Sequence, residues 1–318
     1  MKTITANHTE MVMDTVLSGQ KAATSTVAAS WCRSALHFQL DPSQNRRRER
    51  LSDRDLTLLR DKNGELLAVA DPVLSSLFKN VEMTGCCVIL ADAAGMVLSA
   101  RANAADIEHF GAVGLQAGAD WSEAAEGTNG IGTCLIEERP VTIYQAEHFA
   151  TRNIGFSCMD APVFDPNGLL VGAIDVSTGR EMQSASVAAL VAALVRDAAR
   201  QIERSFFCRH FSDARIVDTS EDTSNGFSLL ALDQDDLVIG ATRAARKKHA
   251  ISQAQIEANR PICDVLSADQ TACFVDAERK VLRQALARAR GNLSEASRAL
   301  GIGRATFYRR MKRANSPH

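Results

Sequence analysis

Apolar and polar positions change period along this 318-residue chain, and each period predicts an element. Residues 24–39, TSTVAASWCRSALHFQ, fit a helix, and the polar passage LDPSQNRRRERL leads to SDRD, an N-cap followed by acidic first-turn residues of a second helix. From Met83 the texture changes. GCCVILAD predicts a buried strand, DAAG a turn, and MVLSA its hairpin partner. A helical stretch follows at about Ala105–Ala117. The close glycines of EGTNGIGTCLIEE then open a short helix, PVTIYQ reads as a strand, and FSCMDAPVF and LLVGAIDVS are two more strands joined by DPNG. The sum is an α+β arrangement, an antiparallel sheet flanked by helices.

Residues 184–207, SASVAALVAALVRDAARQIERSFF, carry Val187, Leu190, Val191, Leu194, Ile202 and Phe206 at helical spacing, one apolar stripe able to cover its own sheet or meet a second copy. CRHFSDARIVDTSEDTSNG is polar and reads as a linker, and FSLLALDQDDLVIGATRAARKKH as strand, turn, strand and helix, too little for a complete domain. Three helical patterns close the chain: Asp276–Ala289 with Leu282 and Leu286 on one face, Ser294–Leu300 with Ala296 and Leu300, and Arg304–Arg313 with Phe307 and Met311. Gly301-Ile302-Gly303 separates the last two, with glycine where a helix ends in a left-handed residue. Helices joined by so short a turn predict a helix-turn-helix, in which the second enters the DNA major groove.

Charge sharpens that division. From Asp276 to His318 the chain holds eleven Lys or Arg against three Asp or Glu, a net +8; the remainder holds 25 against 35, a net −10. A basic tail on an acidic body points to a polyanion partner, against the commoner meaning of a charge run, a solvated helix face. Arg46, Arg47, Arg48 and Arg50 read as solvated linker in preference to a second nucleic-acid contact. Apolar residues make up 46% of the chain, enough for two or three cores. No run of about eighteen apolar residues and no signal-peptide pattern occurs, so a cytoplasmic protein with no membrane contact is expected. The eight cysteines show neither CxxC pairs nor zinc spacing. No cofactor or metal is expected.

In the last helix Phe307 and Met311 face inward, and Ala305, Arg309 and Arg313 lie about 180° away with Thr306 beside them. Arg304 occupies the first turn, which reaches deepest into the groove. Arginine can bind guanine with two hydrogen bonds and threonine can touch a base edge or phosphate, while Arg309, Arg310, Lys312 and Arg313 can neutralise phosphates. A basic bundle docking a protein is the bland alternative.

The segment ERKVLRQALARARGNLSEASRALGIGRATFYRRMKRA resembles the Fis-type helix-turn-helix that closes many bacterial regulators, through GN, the A-x-x-LGI turn and the R-x-T-[apolar]-Y-R-[KR] helix. That resemblance implies that Arg304, Thr306, Tyr308 and Arg309 contact DNA. Gly303 stands where the family usually has Ser or Asn, a weaker N-cap. Upstream, ASWCRS, WSEAAEGTNGIGTCLIEERPVTIYQAEHF and FSCMDAPVFDPNGLLVGAIDVS resemble the sensory GAF region of acetoin-catabolism and dihydroxyacetone-kinase type regulators, and GFSLLALDQDDLVIGATRAAR the start of the PAS-like segment that follows there. Asp160 departs from a position usually small in that motif. Full members of the family carry a sigma-54 ATPase domain with a G-x-x-x-x-G-K-[ST] loop; this sequence has no such loop, and residues 210–275 are too few for the domain.

Resemblance and residue type place Trp121, Asn129, His148, Phe156 and Cys158 near an effector cavity. Each has a structural rival: Asn129 can hold the GTNG turn, His148 can be a packed or capping residue, Trp121 core, and Cys158 an inert thiol. Cys86 and Cys87 should point to opposite faces of their strand.

The expected organisation is an N-terminal helical region at 1–60, a GAF-like sensor at 61–207, a linker and partial PAS-like segment at 208–275, and the Fis-type domain at 276–318. The expected function is a homodimeric, non-enzymatic regulator that binds double-stranded DNA under control of a small-molecule effector, independently of ATP, with RNA polymerase among its candidate contacts. Two rivals stand beside it: an interaction protein acting on a full-length sigma-54-dependent regulator, and a redox or haem sensor.

Overall fold

The computed structural model describes residues 2–19, 22–44, 50–179, 185–222, 226–266 and 274–314. Two compact units emerge, residues 1–234 with 239–250, and residues 235–238 with 251–318. In the first, α1 (Lys2–Ser18) and α2 (Thr26–Cys32) precede a π-helical segment, Arg33–His37. Helix α3 (Asp53–Lys62) begins where Ser52 accepts the Asp55 amide, with Asp53 and Asp55 at its positive end and Arg60 and Lys62 at its negative end. Helix α4 (Gly64–Val81) follows.

A five-stranded antiparallel sheet of order β2-β1-β5-β4-β3 is built from β1 (Cys86–Asp92), β2 (Val97–Arg101), β3 (Val141–Tyr144), β4 (Ser157–Phe164) and β5 (Leu170–Thr178). Short helices α5 (Ile107–Ala112), α6 (Glu123–Glu126) and α7 (Gly130–Glu137) fall between β2 and β3, and α8 (Ala185–His210) follows β5. Alternation sorts the strand residues. Val88, Leu90, Met159, Val163 and Ile174 pack with α4 and α8, whereas Cys87, Ile89 and Ala173 pack with Phe110, Trp121 and Ile131 on the other face. Cys86 and Cys87 therefore face opposite sides, and both thiols are free.

A three-stranded sheet, β6 (Arg215–Asp218), β7 (Leu229–Leu232) and β8 (Val238–Ala241), follows α8, then α9 (Arg243–Lys248), capped by Thr242. In the second unit lie α10 (Gln253–Glu257), α11 (Ile262–Leu266), α12 (Phe274–Arg288), α13 (Leu293–Ala299) and α14 (Arg304–Ala314). The last three close over Leu282, Ala285, Ala289, Ala296 and Phe307.

Four expectations are corrected. The stretch read as a linker after residue 207 continues α8 to His210 and then forms β6, because Ile216 pairs with Ala231 of β7 and packs on Phe207 and Leu229. The apolar stripe of α8 runs through Val191, Val195, Ala198, Ile202 and Phe206; Val187 and Leu190 are exposed, since Leu190 lies about 100° around the helix from Val191. The helix expected at 105–117 is only α5, ending before Gly114, whose φ is +79°. A division at residue 60 separates no packing units: Trp31 donates to the Glu147 carbonyl at 2.8 Å, and Arg33 grips Glu123 and Glu137, tying the N-terminal helices to the five-stranded sheet and its helices. Of the early arginines, Arg46, Arg47 and Arg48 lie outside the described residues; Arg50 donates to the Ala117 carbonyl at 3.0 Å.

Candidate functional site

The tail arranges its charges by helical position. Asn292 caps α13 by accepting the Ser294 and Glu295 amides, and Gly301, at φ +64°, takes the left-handed conformation that stops this helix. Phe307 of α14 is fully buried and Met311 half-buried, which turns Arg304, Tyr308, Arg309 and Lys312 outward; Thr306 is half-buried. Arg310 and Arg313 belong to a different set. They sit 3.3 Å and 2.8 Å from the carboxylate of Glu278 on α12, whose side chain is only 8% exposed, so both pin α14 to α12. The sequence put Arg310 and Arg313 with the phosphate contacts because a helical wheel of α14 alone does not contain Glu278.

On the five-stranded sheet the candidates gather around the first turn of α7. Asn129 is its N-cap: Oδ1 accepts the Gly132 amide at 2.9 Å and Nδ2 donates to the Gly127 carbonyl at 2.8 Å, the turn-holding role that uses both ends of the amide. A Cβ on Gly130 would fall 2.0 Å from Asp160 Oδ2 and 2.5 Å from Cys158 Cβ, so glycine permits α7 to seat on β4. His148 is fully buried. Its Nδ1 lies 3.0 Å from the Gln145 carbonyl, which can only accept, so the ring proton is assigned there and Nε2 accepts a hydrogen bond from the Cys158 thiol at 3.4 Å. With both ring nitrogens occupied, His148 presents none to a haem iron. The Cys158 sulfur is also 3.2 Å from Ser177 Oγ, which donates to Asp175 Oδ2 at 2.7 Å. Burial pushes the Cys158 thiol well above its usual range, so it stays protonated and unreactive. Trp121, which donates to the Gly114 carbonyl at 2.8 Å, and Phe156, tilted against His109 and Phe110, belong to the apolar layer beside this cluster.

The centre of the site is a pair that sequence reasoning met only in half. Asp160 on β4 and Asp175 on β5 are direct cross-strand partners, both fully buried. Asp160 Oδ1 and Oδ2 and Asp175 Oδ1 accept no hydrogen bond from any described donor. Burial first, and Asp175 second, raise the Asp160 carboxyl well above the carboxylate range; burial raises Asp175 to about 7. Two such groups side by side in a buried core cannot both carry full charge, and burial favours their protonated forms. Asp160 was visible as a departure; Asp175 needed the strand register.

Around this cluster the EGTNG stretch is anchored by buried acids. Arg33 binds Glu123 through Nε at 3.0 Å and Nη2 at 3.2 Å, and Arg152 binds Glu126 at 2.7 Å and 2.8 Å. Paired bonds of this kind fix orientation as well as charge. The acids and arginines were in plain view in the sequence, but their pairing, across 90 residues for Arg33 and Glu123 and 26 for Arg152 and Glu126, was not.

Comparison with known proteins agrees with both halves. Residues 3–204 match the family described as MimR, N-terminal domain, and residues 274–313 the bacterial regulatory protein, Fis family. The chain is 30% identical over 255 residues to the acetoin catabolism regulatory protein of Cupriavidus necator, covering 77% of this chain and 37% of that relative. It is 32% identical over 187 residues to the propane 2-monooxygenase operon transcriptional activator MimR of Mycolicibacterium smegmatis, covering 57% of this chain and 30% of that relative. The chain thus spans well under half the length of these curated relatives. The crystal structure of the E. coli DhaR(N)-DhaL complex shares the fold at a TM-score of 0.53 and 17% identity, over 83% of this chain and 85% of that one. By its match over residues 3–204, the chain belongs to the family of the MimR N-terminal domain, here joined to a Fis-family segment, among relatives named as transcriptional regulators and activators.

Proposed function

We propose that this protein is a sequence-specific, cytoplasmic transcriptional regulator that acts as a homodimer on double-stranded DNA and answers a small effector at the sensor. The observation that carries the reading is the tail: a buried Phe307 leaves Arg304, Tyr308, Arg309 and Lys312 outward on a helix that follows a short turn. Arg304 reads bases from the first turn, Thr306 and Tyr308 support that contact, and Arg309 and Lys312 bind phosphate. Arg310 and Arg313, each about half exposed or more, add phosphate contacts secondary to their hold on Glu278. The organisation is sensor, PAS-like segment and Fis-type domain, with the N-terminal helices counted as part of the sensor.

The effector reading is supported by the polar cluster of His148, Cys158, Asp160, Asp175 and Ser177, where a plain structural core would hold hydrocarbon. Trp121, Asn129 and Phe156 frame it. An effector acts only through different affinity for the DNA-competent and incompetent arrangements. No phosphate-cradling loop occurs in the sequence, so regulation proceeds without ATP hydrolysis, by occupying DNA or touching RNA polymerase.

A second reading, control by a protein partner, is favoured by one finding: a solved chain that shares this fold is in a complex, DhaR(N) with DhaL. Binding of the purified protein to its own upstream DNA, at two salt concentrations with random competitor, tests the first reading. A footprint with a steep salt slope is expected. Weak binding indifferent to sequence would sink it and leave the partner-controlled reading.

A further inference from the structure

A cleft of about 330 Å³ opens in the first unit on the side of the sensor sheet away from the carboxyl pair, walled by α8, the ends of β3 and β4, and α9. Its lining carries five cationic side chains, Arg139, Arg196, Arg200, Arg243 and Lys247, against two acids, Glu138 and Glu203. Three of the cations are already engaged. Arg243 pairs with Glu138 at 3.3 Å while stacking 3.9 Å over Phe164, Arg200 pairs with Asp197 at 2.9 Å, and Arg139 with Glu137 at 3.7 Å. Arg196 and Lys247 make no ion pair among the described residues.

The acids do not offset this excess. Glu203 is buried and accepts the Phe164 amide at 3.2 Å, and desolvation raises it to about 7 against the opposing pull of Arg243 and Arg200. At neutral pH it is partly protonated and able to donate a hydrogen bond. A concavity with surplus positive charge and low-dielectric walls concentrates anions. Those walls, Pro140, Ala161, Pro162, Phe164 and Ala199, are apolar, so an ion with a short hydrocarbon skeleton fits them better than a bare oxyanion.

We propose that this cleft binds a short-chain organic acid, its carboxylates held by Arg196 and Lys247 and its carbon skeleton lying along Phe164 and Pro162. The site is separate from the polar cluster under α7. Because Arg196 is on α8 and Lys247 on α9, the ligand would join the sensor's long helix to the segment leading toward the tail.

The test is calorimetric titration of the full chain with succinate, with inorganic phosphate and the uncharged 1,4-butanediol as comparisons. Succinate should bind saturably, the diol should not, and Arg196→Ala and Lys247→Ala should each weaken succinate about tenfold with thermal midpoints unchanged. Raising salt should weaken binding, as for a partly exposed charge pair. No saturation by succinate up to about 20 mM overturns the proposal, since such an affinity would be too weak to matter. Phosphate binding as tightly as succinate overturns the organic-acid assignment. Succinate binding untouched by both substitutions moves the site elsewhere and overturns its location. None of these results bears on DNA binding, which is measured without succinate.

Discussion

Two carboxyl groups facing each other across neighbouring strands in an apolar core cannot both carry full charge. Asp160 and Asp175 are in that position, and both titrate above the carboxylate range, Asp175 at about 7. In the unfolded chain each would titrate near about 4. Above that value the folded state holds more protons than the unfolded one, so the contribution to stability is complete below about pH 4 and is lost as pH rises through 7. The thermal midpoint should therefore fall by roughly 3–6 °C between pH 6.5 and 8.5, and Asp160→Asn should flatten that slope. Glu203, also raised to about 7, adds a slope of the same sign, so some decline remains in the variant. An Asp160→Asn melting profile parallel to wild type would show that the pair does not carry the pH slope. On the tail, Arg304→Ala should lower specific affinity by about 1–3 kcal/mol and relax sequence choice, whereas Lys312→Ala should weaken all DNA alike. Competition titration separates these, and equal losses for Arg304→Ala on specific and random DNA would remove its base-reading role. At this scale the sequence exposed residue types and not partners: His148, Cys158 and Asp160 could be singled out, yet Asp175, Ser177 and Glu278 become meaningful only once register and packing bring them alongside.

Among elements, α7 carries the most consequence for its length. Asn129 fixes its start, and Gly130 lets its first turn approach Cys158 and Asp160 to within the space of a missing methyl group. Asn129→Ala should cost about 1 kcal/mol, the ordinary value of a lost N-cap. Gly130→Ala should cost about 1–3 kcal/mol, because its methyl meets strand side chains in a closed core. Urea unfolding measures both; a Gly130→Ala midpoint equal to wild type would mean that α7 can lift from the sheet without penalty. Elements of this kind were legible wherever period and cap agreed, as in α3 after Ser52, α7 after Asn129 and the hairpin of β1 and β2. They were not where an element draws its stability from a neighbour: β6 has just two apolar residues of its own, and its partner β7 starts eleven residues after it ends. The buried face of α8 was misjudged at Leu190 for a related reason, since period identifies a stripe and the sheet selects which edge of it is covered.

For the whole molecule, Leu190 raises the question of assembly. It is 64% exposed on a long helix whose buried stripe, about 100° around from it, covers the sheet, and Val187 one turn earlier is exposed beside it. A single helix-turn-helix reads few base pairs, so useful specificity calls for two copies on a two-fold site with half-sites about 34–36 Å apart. Pairing of α8 with its copy would join these observations, covering the apolar residues and coupling two tails. Leu190→Arg should then convert a dimer to a monomer in sedimentation velocity. On DNA, the same substitution should leave affinity for one half-site unchanged and lower affinity for the full palindrome on the order of 100-fold, the avidity lost with the second contact. Inserting about five base pairs between half-sites should reproduce that loss in the wild type, by turning one half-site to the far side of the duplex. A wild-type protein that sediments as a monomer, or a Leu190→Arg variant that remains dimeric, would reject α8 as the joining surface. If the variant is monomeric and still binds the palindrome fully, the two tails act independently, and specificity must come from base contacts within one half-site.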